Sequence, residues 1–207
     1  MEKNQDLLTI ALELQAISRN GLTYTKDVFD KERFEKVSKL AAELIEMQTG
    51  IELDTIIKIF DEQKGYQTPK VETRGVIIKD NKILLVKEKN KWALPGGWMD
   101  YNQSVSSNTI KELEEETGLS VRTGRILAIQ NRNLHNCPIT IFEVIKIFVE
   151  CEVLGGEFKE NNETTEIHYF LKHEIEDLDL DIDKTTAEQI DMCFDVCAKE
   201  ENYVVYD

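Results

Sequence analysis

Three glutamates carry the strongest chemical signal in this chain. Glu112, Glu115 and Glu116 stand at i, i+3 and i+4 in a stretch, Ser104 to Thr117, whose pattern predicts a helix. At that spacing their carboxylates gather on one helix face, while Ile110, Leu113 and Thr117 share a neighbouring face suited to packing on a sheet. Glu114 points elsewhere. Like charges so placed weaken a bare helix by about a few tenths of a kcal/mol per pair. A hard divalent cation with oxygen ligands is the natural agent to offset that repulsion. Gly96-Gly97, shortly before the helix, permits a tight turn and close backbone approach to a ligand. Three glutamates alone describe a solvated acidic helix; the Gly-Gly turn at fixed distance and the terminal Gly118-Leu119 shift the reading toward a cation site.

At these residues the sequence resembles the Nudix hydrolases. Their signature runs Gly, five residues, Glu, seven residues, Arg-Glu, an aliphatic, one residue, Glu-Glu, one residue, Gly, an aliphatic. Gly97 opens it here, and Glu112, Leu113, Glu115, Glu116, Gly118 and Leu119 fill their places. Gln103 stands where the first Glu belongs, and Lys111 replaces the Arg that orients the catalytic Glu in the family. Lysine keeps the charge and loses the planar fork. The segments Trp92–Trp98, Asn131–His135 and Glu163–Glu166 are similar to a bacterial subgroup with an N-terminal helical domain, as is the Asp30–Glu35 helix.

The resemblance implies an α+β fold, a Nudix-type α/β/α sandwich with mixed sheet behind a small all-helical domain. It implies Mg²⁺ or Mn²⁺ held by Glu112, Glu115, Glu116 and the Gly96 carbonyl, with a further acid from the late loop at Glu163 or Glu166. The implied substrate is a small nucleoside diphosphate linked to another group, with ADP-ribose and CDP-choline as representatives. Hydrolysis at one phosphorus would yield a nucleoside monophosphate and a phosphorylated second group. Either Glu112 or a late-loop carboxylate would take the proton. The contrasting reading is a nucleotide sensor that keeps the fold without turnover, favoured only by Gln103 and Lys111.

Arg74 lies within the first strand expected after the helical region. It either occupies an exposed face or reaches a substrate phosphate. Arg132 and His135 sit in a loop between strands, where the resemblance favours substrate contact over plain solvation. Gly97 and Trp98 complete the expected substrate contacts; Trp98 and Tyr101 suit base stacking or ordinary packing.

The elements that must position these residues fall in two regions. Residues 1–66 show helical periodicity: Asn4 to Ser18, closed by Asn20-Gly21; a second helix from Asp27 or Asp30 to Gly50; and a third through Leu53, Ile56, Ile57 and Phe60, closed by Lys64-Gly65. Pro69 breaks any continuation. Residues 67–207 form the catalytic region. Strands are expected at Val71–Lys79 and Lys82–Lys87, joined by an Asp80-Asn81 hairpin turn, and at Val121–Arg132, Ile141–Val153 and Glu166–Leu171. A helix from Lys184 to Lys199 ends the pattern, and the acidic run Glu174–Asp181 reads as a solvated loop with two leucine anchors.

The 207 residues carry 40 Asp and Glu against 25 Lys and Arg, a formal charge of −15. That balance argues against long nucleic acid or anionic membrane as partners. Four scattered cysteines, no long apolar run and an N-terminus without a basic leader point to a cytoplasmic protein without disulfides. Cys193 and Cys197 read as core or half-exposed thiols. The helical module offers more apolar stripe than so small a piece covers alone. The short, proline-stiffened link favours a homodimer through the module over a monomer in which the module caps the sheet.

Overall fold

The computed structural model describes residues 2–63, 65–199 and 203–207, with side chains from residue 7 onward. It divides the chain into two compact units, Met1–Thr68 and Pro69–Asp207.

The first unit holds three helices: α1 (Glu2–Tyr24), α2 (Val28–Thr49) and α3 (Leu53–Glu62). Ala11, Ala41, Ala42, Ile45, Ile56 and Phe60 are its buried centre, small residues letting helices approach closely. Asp27 caps α2 by accepting the Asp30 N–H, and Gly50 ends it in the left-handed conformation. The expected stop at Asn20-Gly21 does not occur, since α1 runs on to Tyr24. Gly21 is there for packing: a Cβ on it would lie 2.4 Å from the Phe34 ring. Helix α3 stops at Glu62; Lys64, half of the expected terminator, lies outside the described residues, as does Met1.

The second unit contains two four-stranded sheets. One has the order β1 (Lys70–Val76), β6 (Val144–Gly156), β5 (Leu119–Asn131), β8 (Val205–Tyr206). In it β1 runs parallel to β6, β5 antiparallel to β6, and β8 parallel to β5. In the other, β3 (Lys82–Glu88) pairs antiparallel with β2 (Ile78–Lys79), β4 (Lys91–Ala93) and β7 (Glu166–Leu171). Asp80 and Asn81 both take positive φ, 52° and 58°, as the expected tight hairpin requires. Helix α4 (Val105–Thr117) is boxed at Ser104 and Ser107 and closed by Gly118; a short α5 (Arg132–His135) and α6 (Ala187–Cys197) follow. Leu113 of α4 packs with Ile77, Leu84, Val121 and Val149, while Ile190, Cys193 and Val196 of α6 pack with Val76, Leu127 and Phe148. The expected sandwich with a mixed sheet is thus present.

The expected Val71–Lys79 strand is divided at Ile77 into β1 and β2, which belong to different sheets, and other boundaries differ from the sequence reading for local reasons. Strand β6 begins at Val144, because Asn133 binds the Thr140 and Phe142 carbonyls and holds that segment out of the ladder. Helix α6 begins at Ala187, where Thr186 supplies the cap. The acidic run opens with a 3-10 turn over Lys172–Asp177 and is anchored by buried Ile175 and Leu180.

Candidate active site

The Gly-Gly turn lies along the free edge of β1. Thr73 and Gly75 donate to the Gly97 and Pro95 carbonyls at 2.9 and 2.8 Å, and Met99 donates to Val71 at 2.8 Å. Gly96 takes φ +138°, and a Cβ there would fall 2.0 Å from the Thr73 carbonyl oxygen, so no other residue fits. The turn is thereby pressed against α4. The Gly96 N–H donates to Glu116 Oε2 at 2.9 Å, and a Cβ on Gly97 would lie 2.5 Å from Glu112 Oε2.

These groups share a cavity of about 450 Å³, which Glu112, Glu115, Glu116, Glu163, Gly96 and Gly97 line from the acidic side. Glu116 is buried, Glu112 half-buried and Glu115 exposed. Burial pushes the Glu116 carboxyl up to about 8, with only partial relief from the Arg74 charge and the Gly96 N–H. Burial also raises Glu112, against the attraction of Lys111. Glu114 is exposed and outside the cavity. Lys111 Nζ lies 2.8 Å from Asp100 Oδ2, 3.2 Å from Glu112 Oε1 and 3.4 Å from Glu115 Oε2. The Asp100 contact leads in holding its ammonium above the ordinary lysine value. Asn161 places the late loop: its amide donates to the Glu115 and Glu116 carbonyls, and its Oδ1 accepts the Glu163 and Thr164 N–H groups.

Cations line the same cavity. Arg74, 3 % exposed, is not on an open face; of its two expected settings, that one is overturned. Its Nη1 donates to the Leu94 and Gly96 carbonyls at 3.1 and 2.8 Å, and it pairs with Glu72 at 3.3 Å. Arg132 is buried rather than in a solvated loop. It donates to the Pro138 carbonyl at 2.7 Å and pairs with Asp183. Lys184 lines the cavity and bonds Glu88 at 2.5 Å. Trp98 lines it too, half exposed, with Lys70 Nζ 5.7 Å from its ring.

Three expected residues are not brought to the cavity. His135 pairs at 2.7 Å with Asp207, whose carboxyl it helps hold below the usual range against burial. Glu166 pairs with Lys87 at 3.2 Å on the β3–β7 ladder. Tyr101 is fully exposed. Conversely, the sequence reading missed Glu72, Asp100, Asp183 and Lys184 in the cavity wall. It also missed Lys146, wholly buried and 3.3 Å from Glu72. Glu72 and Arg74 did carry a signal, since i and i+2 on a strand share a face.

The donor set on the acidic side fits a hard divalent cation. It offers only oxygen atoms, and it includes a carboxyl that burial lifts to about 8 despite the nearby Arg74 charge. Among the described residues no three acidic, histidine or cysteine side chains already converge at ligand spacing. Lys111 holds the outer carboxylates instead.

Comparison with known proteins agrees with this geometry. The chain is 32% identical over 199 residues to the putative ADP-ribose pyrophosphatase YjhB of Bacillus subtilis (strain 168), covering 95% of each. It is 32% identical over 124 residues to an ADP-ribose pyrophosphatase of Methanocaldococcus jannaschii, covering 58% of this chain and 72% of that one. Among solved structures, a UDP-X diphosphatase aligns over 98% of both chains at 29% identity and a TM-score of 0.63. An ADP-ribose pyrophosphatase from Streptococcus suis 89-1591 covers 68% of this chain and 100% of its own at 40% identity and a TM-score of 0.62. Residues 5–60 match the UDP-X-like, N-terminal oligomerisation domain. Residues 69–191, more than half of the chain, match the NUDIX domain, and the chain belongs to the Nudix hydrolase family.

Proposed function

We propose that this Nudix pyrophosphohydrolase cleaves the diphosphate of a small nucleoside diphosphate linked to a second group. The products would be a nucleoside monophosphate and the phosphorylated second group. ADP-ribose is the leading substrate, because two relatives are named as ADP-ribose pyrophosphatases. UDP-linked compounds stand next on the likeness to the UDP-X diphosphatase, and CDP-choline after them. The observation that carries the reading is one cavity bringing the carboxylates of α4 together with Arg74, Arg132 and Lys184.

Glu112, Glu115 and Glu116, with Glu163 and the Gly96 carbonyl, would hold Mg²⁺ or Mn²⁺, which neutralises diphosphate oxygens and lowers the pKa of a water when bound. Glu112 or Glu163 accepts the proton as the water oxygen bonds to phosphorus and the bridging oxygen leaves with the other phosphate. Arg74 acts as a positioning residue: its Nη1 fixes the Gly96 carbonyl, and the Gly96 N–H fixes Glu116. Arg132 and Lys184 supply positive charge for phosphate oxygens, and Trp98 an aromatic face for the base. Positioning and charge neutralisation carry most of the barrier lowering, since the leaving phosphate is already a stable anion.

The helical module serves as a dimerisation arm in this reading. Leu7, Ile10 and Ile17 of α1 and Phe29, Leu40 and Met47 of α2 expose their side chains. The match to an oligomerisation domain supports a twofold homodimer. Light scattering at micromolar concentration should return twice the 23.9 kDa chain mass, and a monomer defeats this arm of the proposal.

The test of activity is a panel of ADP-ribose, UDP-sugars and CDP-choline with Mg²⁺ or Mn²⁺, measuring phosphomonoester release. Turnover of at least one compound, abolished by chelation, is the expected result. Silence across the panel would leave the sensor reading standing in its place.

A further inference from the structure

Lys111, a departure from the family signature, meets a loop residue, Asp100. Its loop is fixed from both sides. The Asp100 N–H donates to Asn108 Oδ1 at 3.1 Å, and its carbonyl accepts the Gln103 N–H at 3.1 Å. Asn108 is wholly buried and anchored to Thr73 Oγ1 at 2.9 Å, so it ties the loop to both α4 and β1. The Asp100 carboxylate lies in the cavity wall, and its 2.8 Å contact is the shortest of the three that Lys111 Nζ makes. An ammonium has three donors in a compact head, and here three carboxylates face them.

We propose that Asp100 is a positioning residue that anchors Lys111 and so governs how strongly that ammonium competes with a divalent cation for Glu112 and Glu115. The inference rests on the metal-dependent reading of the site. A lysine lying between two prospective ligands opposes a cation there by occupying their lone pairs and adding like charge. Anchored by a third carboxylate at the edge of the cavity, it can release Glu112 and Glu115 without losing its partner. Without Asp100, its remaining partners among the described residues are those two glutamates.

The test is direct Mn²⁺ binding to the full chain without substrate, followed by the paramagnetic resonance signal of free Mn²⁺. Asp100→Asn keeps the shape and the backbone bond to Asn108 while removing the charge. It should weaken Mn²⁺ binding about five- to tenfold and raise the Mn²⁺ concentration giving half-maximal rate by a similar factor. In a Lys111→Gln background, which lacks the competitor, Asp100→Asn should change Mn²⁺ affinity less than twofold. A merely structural Asp100 would lower the melting temperature without this dependence on Lys111. Equal weakening in both backgrounds, or wild-type affinity in Asp100→Asn, overturns the assignment while leaving the metal site intact. A wild-type chain that binds no Mn²⁺ overturns the proposed function, and this assignment with it.

Discussion

Glu116→Gln separates what Glu116 does for the fold from what it does for chemistry. The side chain is 5 % exposed, and burial lifts its carboxyl from 4.5 to about 8. Between those values the folded chain binds more protons than the unfolded one, so this group makes stability fall as pH rises from about 4.5 through 8. At about 1.36 kcal/mol per pH unit, keeping it ionised and folded above pH 8 costs at most ~5 kcal/mol. Glutamine still accepts the Gly96 N–H without carrying charge. Burying an amide costs roughly 1–3 kcal/mol, leaving a net gain on the order of 2–4 kcal/mol for the metal-free variant at pH 8.5. With about 2–4 °C per kcal/mol, the melting temperature should rise by at least ~4 °C. At pH 5 the wild-type carboxyl is already protonated in the folded chain, so the variant's gain should disappear. Both tryptophans, Trp92 and Trp98, lie in the unit Pro69–Asp207, so their fluorescence during melts in EDTA reports that unit alone. Turnover should fall by orders of magnitude in the same variant. A melting difference that does not grow between pH 5 and 8.5, or a variant less stable at pH 8.5, refutes the reasoning.

Glu112→Gln should likewise reduce kcat by orders of magnitude at saturating Mg²⁺, whereas Glu114→Gln, whose side chain lies outside the cavity, should stay within severalfold of wild type. Leu113→Ala removes a wholly buried side chain beneath the acidic face and should cost about 3 kcal/mol in denaturant unfolding followed by Trp fluorescence. Burial depresses Lys146 to about 8, so the unfolded chain binds more protons than the folded one from there to 10.5. Wild-type stability should therefore rise with pH across that window relative to Lys146→Met, and parallel profiles would show that Lys146 does not titrate there.

Most of the architecture was legible because it follows from local rules. Capping signals at Asp27, Ser104 and Gly118, the Asp80-Asn81 turn and period-2 strands each act over a few residues. The carboxylates of α4 were legible for the same reason, their spacing being a helical one. What escaped depends on contacts distant in sequence. Gly21 looks like a helix stop until Phe34, 13 positions on, is found against it. His135 and Asp207 are 72 residues apart, and their pairing draws the histidine away from the cavity. Glu163 and Glu166 were indistinguishable on the chain; the Asn161 tether and the Lys87 ladder partner send one toward the cavity and the other away. Strands β4 and β8 are only three and two residues long, too short to show a period.

The buried charges behind the cavity are the part of the design that stability alone does not explain. Lys146 reaches Glu72 at 3.3 Å, Glu72 pairs with Arg74, Arg74 holds the Gly96 carbonyl, and the Gly96 N–H holds Glu116. The parallel register of β1 and β6 sets Glu72 opposite Lys146, making the first link a consequence of strand pairing. Desolvating such a chain offsets much of its Coulombic gain, and well-packed apolar residues would hold the sheet at least as well. Two positive and two negative groups nearly balance, yet the balance is uneven. Glu72 is drawn below the usual carboxylate range despite its burial, while Glu116, at the far end, is left well above it. The raised end of this chain is thus the carboxylate that faces the cavity, because burial there outweighs the Arg74 and Lys184 charges. A site built to receive a cation needs that unsatisfied end, held on a rigid sheet, before the cation arrives.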